Sequence, residues 1–108
     1  MKIVCRKFQP FQKNTLRGFA EVVITDIGMV VRDVTVHTKN DFTWASPPAK
    51  PQVKDGRVVT DNGRAQYVPI IEFCSREARD DFSLSVVEAV LKTDEGKRAL
   101  SELADDAA

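Results

Sequence analysis

Histidine is almost absent from this chain: His37 is the only one, and only two cysteines, Cys5 and Cys74, stand far apart in the sequence. No histidine or cysteine pair has metal-ligand spacing, so a zinc site, a Cys–His dyad or a Ser–His–Asp triad would have to be built on His37 alone. Asp33 and His37 fall four residues apart on a strand, roughly 13 Å along the extended backbone, which is too far for a direct hydrogen bond. Asp80 and Asp81 are neighbours in a helical stretch and point about 100° apart, so they do not form a catalytic carboxylate pair. Neither G-x-G-x-x-G nor G-x-x-x-x-G-K occurs; Gly18 and Gly28 are isolated. Nothing here supports an enzyme, and no metal or cofactor is expected. The two thiols are expected to be reduced and to serve as small apolar residues of the core or of strands.

Two further absences narrow the class. No run of about 18 apolar residues exists, which predicts no membrane span. The opening Met1–Lys7 has neither the apolar stretch nor the small-residue cleavage site of a secretory signal, so the expected location is cytoplasmic. Net charge is also missing: 16 basic residues balance 16 acidic ones over 108 residues. That length predicts one domain, and 43% hydrophobic with 30% charged residues predicts a globular one. The charges are unevenly spread. Lys2, Arg6, Lys7, Lys13 and Arg17 meet no acidic residue before Phe19, whereas the stretch from Asp94 to Ala108 turns acidic. A neutral total can therefore conceal a basic face.

What is present reads as strands, then a loop, then a helix. Met1–Pro10 is a first strand ended by Pro10, with Phe8 and Phe11 packing as a corner beside it. Leu16–Thr25 alternates Leu16, Gly18, Ala20, Val22 and Ile24 on one face with Arg17, Phe19, Glu21 and Val23 on the other. Small Gly18 and Ala20 leave space for something bulky. After the turn Asp26–Gly28, Met29–Thr38 returns with Val30, Arg32, Val34 and Val36 on one face, and Val31, Asp33, Thr35 and His37 on the other. Lys39–Asp41 turns into Phe42–Ser46, an aromatic strand halted by Pro47, Pro48 and Pro51. Pro47–Gln66 is a long loop with turn signals at Asp55-Gly56 and Asn62-Gly63, and a short strand across Arg57–Thr60 between them. Tyr67–Cys74 is a further strand, placed at an edge by Pro69. Ser75 caps a helix running to about Thr93, with Ala78, Phe82, Val86, Ala89 and Val90 as its apolar stripe, widened by Val87 and Leu91. Gly96 punctuates, and Lys97–Leu103 forms a short second helix. No internal repeat is visible. The fold class is thus α+β, an antiparallel meander of about five strands with one long C-terminal helix packed on it. Residues 1–93 make the domain, and 94–108 a short helix or frayed acidic tail.

Aromatic faces beside cationic side chains are what single-stranded nucleic acid requires. Trp44, Phe42 and Tyr67 offer the faces, and Lys50, Lys54, Arg57 and Arg64 the charges. The competing reading is a protein-interaction or assembly module whose sheet edge or helix face binds a partner and whose loop charges are incidental. Helix-stripe residues beyond those needed for the core leave room for contact between two copies.

Several strings resemble a known family. Leu16–Thr25, Met29–Val36, Trp44-Ala-Ser-Pro-Pro-Ala-Lys50, Tyr67-Val-Pro-Ile and the Ser75–Leu91 helix follow the plan of the small bacterial SpoVG-like proteins (stage V sporulation protein G, septation-associated). Variants of this plan are carried by prophages, which implies a phage or prophage origin. The resemblance implies a homodimer that binds DNA or RNA and acts as a regulator, with basic residues at and just after the Pro-x-Lys string making the contact. Lys50 matches that string. Pro51 stands where a second basic residue is common, and Lys54 and Arg57 in the longer loop are the substitutes. A weaker resemblance is to the single-stranded-DNA coactivator fold, a curved antiparallel sheet with a dimerising helix; its element order is compatible, and no string carries it.

Overall fold

A computed structural model describes the backbone of residues 1–107 and the side-chain surroundings of residues 1–100. Its main sheet has four antiparallel strands in sequence order: β1 (Ile3–Lys13), β2 (Leu16–Ile24), β3 (Met29–Lys39) and β4 (Phe42–Ser46). The turns between them sit at residues able to take left-handed backbone angles, Asn14 between β1 and β2, Gly28 between β2 and β3, and Asn40 with Asp41 between β3 and β4.

Three details differ from the sequence reading. Pro10 does not end β1; the strand continues to Lys13, with Pro10 opposite Gly18. As an edge strand, β1 has one hydrogen-bonding side without a strand partner, so a residue lacking N–H can be accommodated there. Phe8 and Phe11 consequently point to opposite faces: Phe8 is buried, and Phe11 is exposed beside Phe19 at a centroid distance of 5.9 Å. In β3 the alternation breaks. Ala20 and Val22 pair with Val34 and Val31, so β3 holds one extra residue, and Asp33 takes φ 60 there. This bulge turns Val31, Val34 and Val36 to the core and leaves Arg32 outside. Finally, the sheet has four strands rather than five. Tyr67–Pro69 pairs with Ala49–Pro51 in a separate ribbon, because Pro47 and Pro48 lead the chain off the sheet.

One face of the sheet is covered and the other is open. The covered face carries Phe8, Ala20, Val22, Ile24, Val31, Val34, Val36 and Ala45 against Phe82, Val86, Val87 and Val90 of helix α1 (Arg76–Val90). Ser75 caps α1 as the sequence suggests, its side chain accepting from the Ala78 amide at 3.1 Å. The helix is 15 residues long and stops at Leu91. A second helix, α2 (Asp94–Ala107), begins earlier than Lys97 because Thr93 caps it, its Oγ1 accepting from the Gly96 amide at 2.9 Å. Gly96 is thus inside the first turn of α2, where a Cβ would lie 2.1 Å from the Val90 carbonyl oxygen. Close packing of the two helices requires glycine at that point. Of the stretch 94–108 expected as a short helix or frayed acidic tail, the side-chain surroundings of residues 101–108 lie outside those described. No helix among the described residues is long and apolar enough to cross a membrane.

The space left by Gly18 and Ala20 is filled by Phe8. A Cβ on Gly18 would stand 2.4 Å from Cζ of Phe8 and 2.7 Å from the Gln9 carbonyl oxygen. Since the obstruction includes backbone, Gly18→Ala cannot be absorbed by a rotamer change alone. Thermal melts should show a loss of roughly 1–3 kcal/mol, the usual cost of overpacking. A melting temperature unchanged by Gly18→Ala would mean that the Phe8 ring is not seated there.

Candidate nucleic-acid interface

The long loop is built of short hairpins. Strand β5 (Ala49–Pro51) pairs with β10 (Tyr67–Pro69) as a stem. Between them, β6 (Val53–Lys54) pairs with β7 (Arg57–Val58), and β8 (Thr60–Asp61) with β9 (Arg64–Ala65). Each hairpin turns on two residues with positive φ: 53 and 76 at Asp55-Gly56, 52 and 77 at Asn62-Gly63. Two consecutive left-handed residues make the tight turn whose twist suits a hairpin, and Asp-Gly and Asn-Gly are its preferred sequences. At the base three backbone hydrogen bonds close a ring: Gln52 N–H to Gln66 O at 2.7 Å, Val59 N–H to Gln52 O at 2.8 Å, and Gln66 N–H to Val59 O at 2.9 Å. Gln52, Val59 and Gln66 are evenly spaced, so 53–59 (Val-Lys-Asp-Gly-Arg-Val-Val) and 60–66 (Thr-Asp-Asn-Gly-Arg-Ala-Gln) form two hairpins of equal length that share a Gly-Arg step at the turn.

This arm carries five of the seven residues singled out from sequence. Lys54 lies directly opposite Arg57, Arg64 lies opposite Asp61 at the equivalent place in the second hairpin, Lys50 faces Val68 on the stem, and Tyr67 faces Pro51. All five are exposed, Tyr67 at 63%. None of the four cations forms an ion pair among the described residues. Like charges opposite each other on a hairpin repel, so the Lys54–Arg57 pairing contributes nothing to folding.

Trp44 is placed elsewhere, on the open face of the main sheet. There it is half-buried and stacked on His37, its cross-strand partner, at 5.3 Å and 9°, and on Phe42 at 5.6 Å and 21°. Phe42, at 65% exposure, is the freer ring. The same open face carries Phe11 and Phe19, and a bulge at Arg6 on β1 that sits across from the one at Arg32. Together the bulges set Arg6 and Arg32 astride Glu21, at 3.4 and 3.0 Å, neutralising the carboxylate with one guanidinium in excess. Sequence alternation put Phe19 and Glu21 outward; the arginines could not be placed without the bulges.

Beyond Trp44, the outer side of β4 borders α1. The Ser83 hydroxyl accepts from the Ala45 amide at 2.9 Å, and Pro47 has no amide to offer. The groove between strand and helix has a volume of about 600 Å³ and is lined by Phe42, Trp44, Pro47, Arg76, Arg79 and Ser83 among others. Arg76 and Arg79 share one carboxylate, Asp80, at 3.8 and 3.7 Å.

His37 is held at both ring nitrogens, Nδ1 with the Thr15 hydroxyl at 3.0 Å and Nε2 with the Thr35 hydroxyl at 2.9 Å. Burial, with Arg17 nearby as the smaller cause, lowers its pKa below the ordinary histidine value. A base whose folded pKa is depressed stabilises the fold above its unfolded pKa, and that stability is lost as pH falls through the folded value. Urea midpoints at about pH 7.5 and 5 should therefore drop further in the wild type than in His37→Gln. Equal drops would sink this assignment. Both ring nitrogens are thus taken by threonine hydroxyls, while Asp33 lies exposed in the bulge, and no carboxylate among the described residues is hydrogen-bonded to His37. Cys5 is half-buried beside the core and burial raises its pKa, whereas Cys74, expected in a strand or core, is exposed in the approach to α1, since the strand expected there stops at Pro69. No cluster of metal-ligating side chains exists among the described residues. No family model, curated protein or solved structure matches the chain.

Proposed function

We propose that this chain is a non-enzymatic nucleic-acid-binding module of the cytoplasm, acting as a homodimeric regulator of the kind the SpoVG-like resemblance implies. One observation carries the reading: Lys54, Arg57 and Arg64 are displayed on twin hairpins, with Lys50 on their stem, and none of the four forms an ion pair among the described residues, Arg64 alone having a carboxylate, Asp61, across from it. Cations held on a projecting backbone, without a partner and without a role in packing, suit a polyanion. Tyr67 beside them, and Trp44 on the sheet, supply aromatic surface. The test is a fluorescence-anisotropy titration with single-stranded DNA, single-stranded RNA and duplex DNA. If about four phosphates are neutralised, log K against log salt has a slope near −3 for a single strand, and raising salt from about 50 to 200 mM costs roughly fiftyfold in affinity. Absence of binding to every species at the lower salt would defeat the proposal.

The rival is an assembly module, and it too has an observation in its favour. Val53 and Val58 pair across the first hairpin at 61% and 49% exposure, and Ile70 at the foot of the stem is 60% exposed. Apolar surface on a projecting arm can dock on protein. Salt-insensitive self-association in place of nucleic-acid binding would favour that reading.

A further inference from the structure

We propose that the groove between β4 and α1 is a second contact, one that takes an unpaired nucleotide: its base lies on the Phe42 ring and its phosphate lies between Arg76 and Arg79. The inference rests on the nucleic-acid reading of the arm but concerns a different part of the molecule. Phe42 is largely exposed and is backed by Trp44, which is itself backed by His37, so the outer ring is held in place by a stack rather than by solvent. A base can add to that stack without displacing core. Beside it, two guanidiniums share the single carboxylate of Asp80, leaving a net positive charge on the groove wall. The volume of about 600 Å³ is enough for a nucleotide.

The edge chemistry argues against the obvious competitor, an extended peptide adding a strand to β4. Such a peptide requires a row of free backbone donors and acceptors along the edge. Here the Ala45 amide is already given to Ser83, and Pro47 has none. A ligand that uses a ring face and a charge, and asks nothing of the strand backbone, is compatible with an edge interrupted at Ala45 and Pro47. Duplex DNA keeps its bases paired and stacked inside, so this groove discriminates in favour of single strands.

Trp44 is the only tryptophan in the chain and lines this groove, so its emission reports on a ligand that reaches the Phe42–Trp44 stack. The full-length protein is titrated with oligothymidylate of about twelve nucleotides while anisotropy and Trp44 emission are followed together. The expected result is quenching that saturates at the same midpoint as anisotropy. Phe42→Ala and Arg79→Gln, both at exposed positions, should each weaken single-strand binding, Phe42→Ala by about five- to a hundredfold, and each by more than it weakens duplex binding. Anisotropy change without quenching, with Phe42→Ala binding like wild type, overturns the groove and leaves the arm reading standing. Binding of nothing at low salt removes both. A Phe42→Ala protein that changes from dimer to monomer on sizing, with its affinity per protomer retained, makes this face a contact between copies and also overturns the proposal.

Discussion

Phe82→Ala is expected to remove about 3–5 kcal/mol of stability, the range for deleting a buried aromatic ring. Phe82 is 1% exposed, packs against Phe73 at 5.1 Å, and belongs to a core cluster whose sheet side includes Ala20, Val22, Val34, Val36 and Ala45. That face is made of small and β-branched side chains, which cannot swing into a vacated space, so the cavity persists and the cost lies toward the upper end of the range. Domains of this size are commonly stable by only about 5–15 kcal/mol, so the variant should be close to unfolded in mild denaturant. With a urea slope of about 1.5–2 kcal/mol/M, the midpoint falls by roughly 2 M. Leu84, two residues along the same helix but 59% exposed, is the internal control. Leu84→Ala should shift the midpoint by no more than about 0.5 kcal/mol in equivalent stability. If the two variants lose stability equally, α1 does not present Phe82 to the sheet, and the two-layer packing is wrong.

The helix face was legible because period 3.6 is unbroken from Ala78 to Val90, and Ser75 has capping chemistry at its start. Strand β2 was legible for a similar reason: its alternation survives from Gly18 to Ile24. Strand β3 was not. Val30, Val34 and Val36 fit period two as well as Val31, Val34 and Val36 do once a residue is inserted, and nothing in the string Val31-Arg-Asp-Val34 declares the insertion. Asp tolerates a left-handed angle, which permits the bulge without demanding it. Pro10 misled in the opposite direction, since proline stops a central strand but not an edge one, and which strand lies at an edge is a tertiary fact. The arm shows the division most plainly. Both turns were readable from Asp55-Gly56 and Asn62-Gly63, whereas their union into a three-bond ring at Gln52, Val59 and Gln66 depends on backbone groups that every residue possesses. The candidate site was legible to the same extent: the side-chain types were visible, and their division between arm and sheet was not.

That division sets up the second large effect. Replacing Lys54, Arg57 and Arg64 together with glutamine should flatten the salt dependence of single-strand binding from a slope near −3 to about −0.7, with Lys50 as the remaining arm contact. Each lost contact removes a factor of about five at 0.1 M salt, so affinity should fall on the order of a hundredfold. The fold should not suffer. The turns are made by Asp55-Gly56 and Asn62-Gly63, the ring at the base is made by backbone, and none of the three side chains is buried or, among the described residues, in an ion pair. Removing the cross-strand repulsion of Lys54 and Arg57 should, if anything, raise the melting temperature slightly. Loss of binding with stability kept or gained is the signature of charges held for a ligand. A steep slope that survives the triple replacement would move the phosphate contacts off the arm, to the guanidiniums at Glu21 or beside Asp80. A fall in stability as large as the fall in binding would mean that the three cations serve the fold after all.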